Sequence, residues 1–552
     1  MKKLVWVLIS VAVLATGGYY MLWQAQATIA RDQVVEVLKS ANQHHPFITY
    51  ESVEPTGFPL AVGVSINKPV IDLPVSTFIQ PFAATMPTAP DGTDMANIRK
   101  SLLSLPNWQE KLVLDGRIVI TIDALSNTYH IQPEGHYSGT SYVGQESWEY
   151  AIATSGTRGC DIAFNDSIAS ESFANLWNWQ ILSQEPEKLI KNLKRFDCNI
   201  PDYEYINKTS GKKMLLVKAA KLFFANNSAN GMIDMALDIN IPSMQGTEAY
   251  DALAEKYFQL LYKEPLPEHY RLSIHGDQSM RVKGSLNMHE QEPNQHPMRI
   301  VVDEFSFHSD IADTDYRLNL AFNPTGDMSG DGEIYNKMTF SGNEQAYKLY
   351  LAQAKQIADD IYEPMKAAGN ISVSKGELTS ALQQVVPKLH ELGQIIYEVD
   401  IKGNAQEGGK ADIALNNIEI GTTPYGLKAN GSLNIASMMI PMPTGAVDVT
   451  CRACELLVTN VVDWFGRLKP LLAMTEDAEE YAPLMALDEQ DAATRLTRFL
   501  RKIDPKGAEN LNFAVKFEAN PTINGLDTAK LIAIFNEELA PLFVQPAQEV
   551  SE

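Results

Sequence analysis

The residue types best suited to chemistry in this chain are its four cysteines, Cys160, Cys198, Cys451 and Cys454. Four cysteines allow three pairings, and proximity along the chain favours Cys160 with Cys198 and Cys451 with Cys454. The Cys451-Arg-Ala-Cys454 sequence stands between an alternating strand and a predicted helix, and a helix N-terminus lowers a thiol pKa, as in redox-active pairs. A zinc site would need two further ligands, which no nearby cysteine or histidine pair offers. We expect structural disulfides, with a thiol oxidoreductase at Cys451 and Cys454 as the alternative.

Recognisable catalytic motifs are absent from the sequence: it has no Gly-x-Ser-x-Gly, Walker or His-Glu-x-x-His pattern. Residues 327–332, Asp-Met-Ser-Gly-Asp-Gly, match the first half of a calcium loop, but its twelfth position is Met338 instead of a bidentate glutamate. The same residues suit a hairpin turn between strands that end at Phe322 and begin at Glu333. We therefore predict no catalytic residue, no cofactor and no metal site.

The composition is that of a folded, acidic protein. Its 552 residues exceed one ordinary core and predict two to four units. A hydrophobic fraction of 45% excludes wholesale disorder. The 45 basic and 68 acidic side chains give a net charge of −23, which repels phosphate backbones and argues against a nucleic-acid partner.

One stretch near the C-terminus concentrates this charge. Residues 475–491 contain seven acidic side chains and no basic one. Such a run is typical of a solvated helical surface, and the alternative is a docking site for a basic partner.

The N-terminus has the features of a membrane anchor. Lys2 and Lys3 precede the uncharged run Leu4–Trp23, and 20 helical residues at about 1.5 Å each span the hydrocarbon layer of about 30 Å. The lysines favour a cytoplasmic N-terminus with the rest of the chain exported. The alternative is a cleaved signal peptide, because Ala25-Gln26-Ala27 has the shape of a cleavage site. Bulky side chains before that site favour a retained single-pass anchor.

The body of the chain alternates strand patterns with helix patterns. Apolar residues recur at every second position in 60–66, 118–122 and 233–241, with polar residues between them in the last run, which is typical of antiparallel sheet with one dry face. Asn416-Asn417 shifts the phase of another such run and predicts a β-bulge. Further strands are expected near 127–153, 214–225, 269–288, 299–322, 330–341, 397–435 and 510–518.

Long helices are expected between these strands, at 24–45, 171–195, 343–365, 455–472, 477–502 and 526–542. The first should pack through Ile29, Val34, Leu38 and Ala41. The third carries an apolar stripe that should pack against a sheet, formed by Tyr347, Tyr350, Ala354, Ile357, Ile361 and Met365. The fold class predicted is α+β, with antiparallel β-meanders in curved sheets, interrupted and covered by long helices, and one N-terminal transmembrane helix.

The expected domains are an anchor with its juxtamembrane helix (1–45), a β-rich domain with a helical insert (46–245), and two strand-plus-helix units (246–370 and 371–552). The last unit carries the acidic helices.

Residues 50–59, Tyr-Glu-Ser-Val-Glu-Pro-Thr-Gly-Phe-Pro, connect a short strand to the alternating strand that begins at Leu60. The order of anchor, helix, Gly-Phe-Pro box and alternating strand over the first 75 or so residues resembles a family of signal-anchored proteobacterial envelope proteins with no assigned activity. It is broadly similar to the AsmA-like group, whose tethered β-rich bodies are associated with lipid handling. The resemblance implies an inner-membrane anchor, a body in the periplasm and no catalytic motif. That compartment is oxidising and suits disulfides.

The function expected from these features is non-enzymatic binding or handling of lipid by a membrane-anchored periplasmic protein. The alternative is an envelope scaffold or assembly factor that recruits protein partners, whose identity the sequence does not give, through the acidic C-terminal helices. An apolar sheet face can form an open groove for a lipid or pack beneath the helices, and the sequence leaves both arrangements open.

Overall fold

The computed structural model describes residues 2–42, 47–57, 61–76, 83, 99, 103, 107–123, 128–155, 159–164, 192–228, 232–262, 265–266, 271, 276–289, 298–322, 329–367, 373–386, 393–406, 410–436, 443–474 and 481–542. For residues 2–18 the description is confined to the backbone. The described chain is rich in antiparallel strands joined by helices, which confirms the β-rich α+β class.

The chain forms two compact units. Unit 1 comprises residues 1–266 and 279–283, and unit 2 comprises residues 267–278 and 284–552. A single strand, β14 (Gly276–His289), contributes to both. The finer division into four domains stays a prediction.

Unit 1 contains two described helices, α1 (Lys2–Ala41) and α2 (Glu248–Tyr262). Its strands are β1 (Ile48–Thr49), β2 (Ser52–Thr56), β3 (Val62–Asn67), β4 (Val70–Leu73), β5 (Trp108–Asp123), β6 (Thr128–Val143), β7 (Glu146–Ser155), β8 (Gly159–Phe164), β9 (Leu193–Ile200), β10 (Asp202–Asn207), β11 (Lys213–Val217), β12 (Ala220–Asn226) and β13 (Met232–Gly246).

The long strands β5 and β6 pair along their whole length and organise unit 1. β5 carries β3 on one half and β4 on the other, while β6 carries β8 on its first part and β7 on its last part. Two branches, β7–β10–β11 and β8–β9–β12, then meet again on β13. The apolar face of this sheet holds the core of the unit, around Val64, Ile66, Ile118 and Ile120.

Helix α1 covers that face. Its buried side chains recur every three or four residues and so form one helical face, namely Trp23, Ala27, Ala30, Val34 and Leu38. The prediction was right for Val34 and Leu38, which join the core cluster. It was wrong for Ile29, which is 58% exposed because it lies outside this face. The side chain of Ala41 and residues 43–45 lie outside the described part.

The membrane anchor remains a prediction. In the parts of helices whose side chains the structure describes, we find no segment both long and apolar enough to cross a membrane. The predicted span Leu4–Trp23 is helical, and most of it falls within residues 2–18, where the side chains are outside the description.

Unit 2 is built on a meander in which each strand pairs antiparallel with the next. The strands are β15 (Met298–His308), β16 (Ala312–Phe322), β17 (Gly330–Phe340), β18 (Ile395–Gln406), β19 (Lys410–Thr422), β20 (Gly426–Ile435), β21 (Pro443–Arg452) and β22 (Leu511–Phe517), followed by the short β23 (Thr522–Ile523) and β24 (Leu526–Asp527). The bulge predicted at Asn416-Asn417 is confirmed, because the pairing of β19 with both neighbours shifts there.

The described helices of unit 2 are α3 (Glu344–Ala367), α4 (Lys375–Val385), α5 (Cys454–Leu472), α6 (Ala482–Met485), α7 (Glu489–Ile503) and α8 (Thr528–Glu538), with a 3₁₀ turn at Ala540–Leu542. The helix expected over 477–502 is two helices, because the Asp488 side chain accepts a hydrogen bond from the Asp491 backbone N–H and starts α7 there. Residues 171–191 of another expected helix lie outside the described residues, and Leu193 onward is strand β9.

The chain segments that contain helices α3 to α7 are inserted between strands at one end of the meander. Antiparallel register places the end of β17 beside the start of β18, and the end of β21 beside the start of β22. The polypeptide that forms α3 and α4 leaves and returns at the first of these points, and α5 to α7 do so at the second. The expectation that helices cover the sheet stays a prediction for unit 2: among the described residues, the apolar clusters that join helix to strand lie at the strand ends, around Ile395 and around Cys451.

Candidate functional site

The eight strands β15 to β22 present one continuous apolar face. Side chains alternate between faces along a strand, and directly paired residues share a face, so the register determines its members. One row across the strands consists of Val302, Leu318, Ile334, Ile401, Leu415, Gly431, Val447 and Val515. A second row, nearer the helices, consists of Met338, Tyr397, Ile420, Leu427, Cys451 and Leu511.

The opposite face of the same strands is charged. Lys402 Nζ lies 3.0 Å from Glu333 Oε1 across β17 and β18, and Lys337 Nζ lies 3.4 Å from Glu398 Oε2. Such pairs contribute little to stability when they are exposed, and their presence identifies this face as the solvated one. The sheet of unit 2 is therefore amphipathic across all eight strands.

The apolar face is incompletely buried. Four of its large side chains are more than a third exposed: Ile334 (40%), Tyr397 (37%), Ile420 (53%) and Leu427 (42%). The buried clusters of unit 2 reach this face only near its end, through residues such as Cys451, Leu511 and Phe513. Within the described residues, the part of the face around Tyr397, Ile420 and Leu427 is thus left partly open to solvent. A contiguous exposed apolar area of this kind marks a binding surface more often than a core.

Small residues are paired with each other at one place on this face. Gly332 on β17 is the direct partner of Gly403 on β18, and the next pair is Gly330 with Ala405. A Cβ placed on Gly403 would meet no atom closer than the Asp412 backbone oxygen at 3.9 Å, so space is open above it. At Gly332, the Leu320 side chain would come within 2.9 Å of such a Cβ. Among the described residues, the open space therefore lies over Gly403 on β18, and we call it the depression.

The four cysteines form two disulfides, in the pairing favoured by their proximity in the sequence. Cys160 on β8 is the direct partner of Cys198 on β9, with a Cα–Cα distance of 4.1 Å. Cys451 is the second-last residue of β21 and bonds Cys454 at the start of α5, at a Cα–Cα distance of 5.2 Å. Thiol exchange requires access to a sulfur, and Cys451 and Cys454 are each only 1% exposed.

The disulfide between Cys451 and Cys454 holds an unusual backbone. Ala453 between them has φ 42° and ψ 54°, in the left-handed region that residues with a Cβ avoid. Asn510 supports this turn, because its Oδ1 accepts a hydrogen bond from the Ala453 N–H at 3.0 Å. The cysteine pair thus fixes the corner at which the sheet passes into α5.

The described acidic residues of the C-terminal helices are largely paired within the unit. Lys469 Nζ lies 2.6 Å from Glu489 Oε1, and this hydrogen bond lowers the pKa of Glu489. Lys502 bridges Glu537 and Glu538 at 2.6 Å each, which raises the pKa of Lys502. Asp491 and Glu455 pair with arginines of α7. The acidic side chains of residues 476–480 lie outside the described part.

The half-matched calcium loop lies at a hairpin. β16 ends at Phe322 as expected, while β17 begins at Gly330, three residues earlier than expected, and these two residues pair. Asp327 is outside the described residues. Over the part of the chain that the structure describes, no group of three or more His, Cys, Asp or Glu side chains is placed to hold a metal ion.

One helix start has a sequence signal that was not among the predictions. Helix α4 begins with a capping box, in which Ser374 and Glu377 bond each other's backbone N–H groups, and its spacing is legible in the sequence. The openness of the apolar face carries no such local signal, because it depends on where distant helices pack.

Comparison with known proteins gives no relative: no family model, no curated protein sequence and no solved structure matches this chain.

Proposed function

We propose that this protein is a non-enzymatic component of the bacterial envelope that binds lipid acyl chains on the apolar face of β15 to β22. The observation that supports this proposal most is the row of half-exposed apolar side chains across strands whose opposite face is charged. A flexible hydrocarbon chain matches such a face because it needs apolar area and no specific hydrogen bonds.

The energetic basis is burial of apolar surface. Removing hydrocarbon area from water contributes about 25 cal/mol per Å², or about 0.8 kcal/mol per methylene group. An acyl chain lying over Tyr397, Ile420 and Leu427 would bury its own surface and that of these side chains at once. The depression over Gly403 leaves room for part of the chain against β18.

The proposed location is the inner membrane, with the body in the periplasm. It is supported by Lys2, Lys3 and the uncharged run Leu4–Trp23, and by two disulfides, which persist in oxidising compartments. The membrane is thereby also the proposed source of the lipid.

The two other functions have less support. A scaffold that recruits basic partners needs free acidic side chains, and the described acids of α5, α7 and α8 pair with lysines and arginines of the same unit. A thiol oxidoreductase needs an accessible sulfur, and Cys451 and Cys454 are buried. Replacing Cys451 and Cys454 by serine would change a redox phenotype only if the protein were a thiol oxidoreductase.

The test is lipid retention by the full-length protein purified from membranes, measured by native mass spectrometry. Ile420→Glu places a charge on the apolar face, and Ile357→Glu makes the same change at an equally exposed position on α3 (53% and 49%). We expect bound lipid with the native protein and with Ile357→Glu, and a several-fold loss with Ile420→Glu. Equal lipid in all three proteins, or none in any, would contradict the proposal.

A second pair of variants tests the depression. Gly403→Trp fills it, and Ala446→Trp adds the same side chain to the charged face of β21. Gly403 tolerates a side chain because its surroundings are open and its φ is not positive. Lipid should be lost only from Gly403→Trp.

A further inference from the structure

The outer edge of β22, the last long strand of the unit 2 meander, is only partly covered by a further strand. Along its inner edge, β22 pairs with β21 over its whole length. On its outer edge, β23 pairs with Val515 and Lys516 alone, and no strand in the described part of the chain pairs with Asn512 or Ala514 on this side. The N–H and C=O groups of such an edge are a template for pairing with another chain.

Side chains occupy the positions of the missing strand. The Ala514 N–H donates to Asn524 Oδ1 at 2.7 Å, and the Ala514 carbonyl accepts from the Asn524 backbone N–H at 2.9 Å. The Asn512 carbonyl accepts from Asn524 Nδ2 at 2.8 Å, and the Asn512 N–H donates to Asp504 Oδ2 at 2.8 Å. In an antiparallel ladder, alternate residues turn both backbone groups towards the same neighbour. All four groups that a further strand would bind at Asn512 and Ala514 are therefore already bonded.

The position of Asn524 is fixed by a hairpin and by a helix end. Ile523 and Leu526 pair directly, so Asn524 and Gly525 form the two-residue loop between β23 and β24. Their φ angles are 51° and 76°, as in a type I′ turn, which favours asparagine followed by glycine. Asn524 Nδ2 also donates to the carbonyl of Ile503, the last residue of α7, at 3.1 Å. Two elements of unit 2 therefore hold this carboxamide against the strand edge.

The closed edge borders the apolar face of the sheet. Leu511 and Val515 of β22 belong to that face, since they pair directly with Cys451 and Val447. If β22 paired antiparallel with β22 of a second copy, the apolar faces of two sheets would become one continuous surface. Sheet edges that are neither blocked nor covered lead to association of this kind.

We propose that Asn524 and Asp504 form an edge cap, which prevents the sheet of unit 2 from pairing through β22 with a second copy of the chain. Asn524 contributes most to the cap, because it makes three of the four hydrogen bonds, two of them through its side chain. This inference concerns self-association and does not rest on lipid binding by the protein.

The experiment compares full-length proteins in detergent by sedimentation velocity over a wide range of protein concentration. Asn524→Gly removes the carboxamide and keeps the turn, because glycine adopts a positive φ without strain. Adding Ala514→Pro to this variant also removes the outward N–H of β22, and proline is tolerated on edge strands. We expect Asn524→Gly to form a species of twice the native mass as the concentration rises. The native protein and the double variant should not form it.

Hydrogen exchange of the Ala514 amide gives a second measurement. In Asn524→Gly, this amide should lose several-fold protection at low concentration, where the edge is free. It should regain that protection at high concentration, where β22 pairs with a second copy. If Asn524→Gly does not fold, Asn524→Asp replaces it, because aspartate also accepts the left-handed turn but loses both Nδ2 bonds.

Two results would overturn the proposal. One is a folded Asn524 variant that keeps the native mass at every concentration, because the edge then stays unpaired without the cap. The other is a double variant that associates as strongly as Asn524→Gly, because the contact then lies away from the Ala514 N–H.

Discussion

Ile420 on β19 and Leu427 on β20 are direct cross-strand partners, and both keep about half of their surface exposed (53% and 42%). Cross-strand apolar pairs normally stabilise a sheet by burying each other beneath a second layer. Here the described helices join the sheet at the end where this pair lies, but the clusters that they form with the strands, around Ile395 and around Cys451, do not include the pair. The pair therefore retains apolar surface available to a ligand, and Glu419 and Lys428, the adjacent residues on the other face, form an ion pair at 3.9 Å.

The two disulfides should differ in their effect on stability. In the loop-entropy description, closing a separation of 38 residues stabilises by about 4 kcal/mol and closing one of 3 by about 2 kcal/mol. Replacing Cys160 and Cys198 by alanine should therefore cost more free energy of unfolding than replacing Cys451 and Cys454. Denaturant unfolding of both double variants checks this order, and a larger loss from the second pair would contradict it.

Ala453→Gly should stabilise the protein. In the left-handed conformation, a residue with a Cβ destabilises the folded protein by about 1–2 kcal/mol. Glycine avoids this cost, but its greater freedom in the unfolded chain lowers the stability by about 0.5–1 kcal/mol. We expect a net gain of up to about 1 kcal/mol in the free energy of unfolding. Ala473→Gly at the other end of α5, where the backbone is right-handed, is the matched control and should destabilise.

The N-terminus of α4 should weaken on acidification. Glu377 accepts hydrogen bonds from the Ser374 backbone N–H and hydroxyl, and these lower the pKa of Glu377 below its ordinary value. A depressed folded-state pKa gives stability that is present above the ordinary glutamate pKa of about 4.3 and lost as the pH falls through the folded value. The protection of the α4 amides against hydrogen exchange, taken relative to the intrinsic exchange rate at each pH, should fall below that range in the native protein. In Glu377→Gln this loss of protection on acidification should be absent, and the same loss as in the native protein would count against the assignment.

Glu538 should depend on Lys502 more than Glu537 does. Lys502 Nζ lies 2.6 Å from both carboxylates, but the Glu538 side chain is 9% exposed and that of Glu537 is 68% exposed. A buried carboxylate without its cation is costly, whereas an exposed one is solvated. Lys502→Met should lower the unfolding temperature, and a further Glu538→Gln change should restore part of the loss. Restoration by Glu537→Gln instead would reverse the assignment.

Much of the strand architecture was predictable because its signal is local. A two-residue period places Ile118 and Ile120 on one face whatever the rest of the chain does, and two adjacent asparagines at 416–417 were enough to predict a bulge. The face of α3 was not predictable in the same way. The expected stripe was right in part: Ala354 is buried, and Tyr350, Ile361 and Met365 pack against buried clusters. It was wrong for Ile357, which is 49% exposed, whereas Ala358 is buried in the cluster where α3 packs on α4.

The site itself was predictable only in part. The sequence indicates amphipathic strands, and it leaves open whether helices seal their apolar face. That outcome depends on residues 341–394 and 453–510, whose helices contact the strands at one end of the sheet. Packing between elements far apart in the chain has no counterpart in a short sequence window, so the half-exposed row through Ile420 emerges only from the fold.

The most direct test of lipid binding compares two neighbouring residues on one strand. Leu427 lies on the apolar face of β20 and Lys428 on the charged face, with both side chains exposed. A photoreactive amino acid at each position, in full-length protein irradiated in native membranes, should crosslink lipid from position 427 and little or none from 428. Equal labelling at the two positions, or no lipid at position 427, would contradict an acyl-binding face.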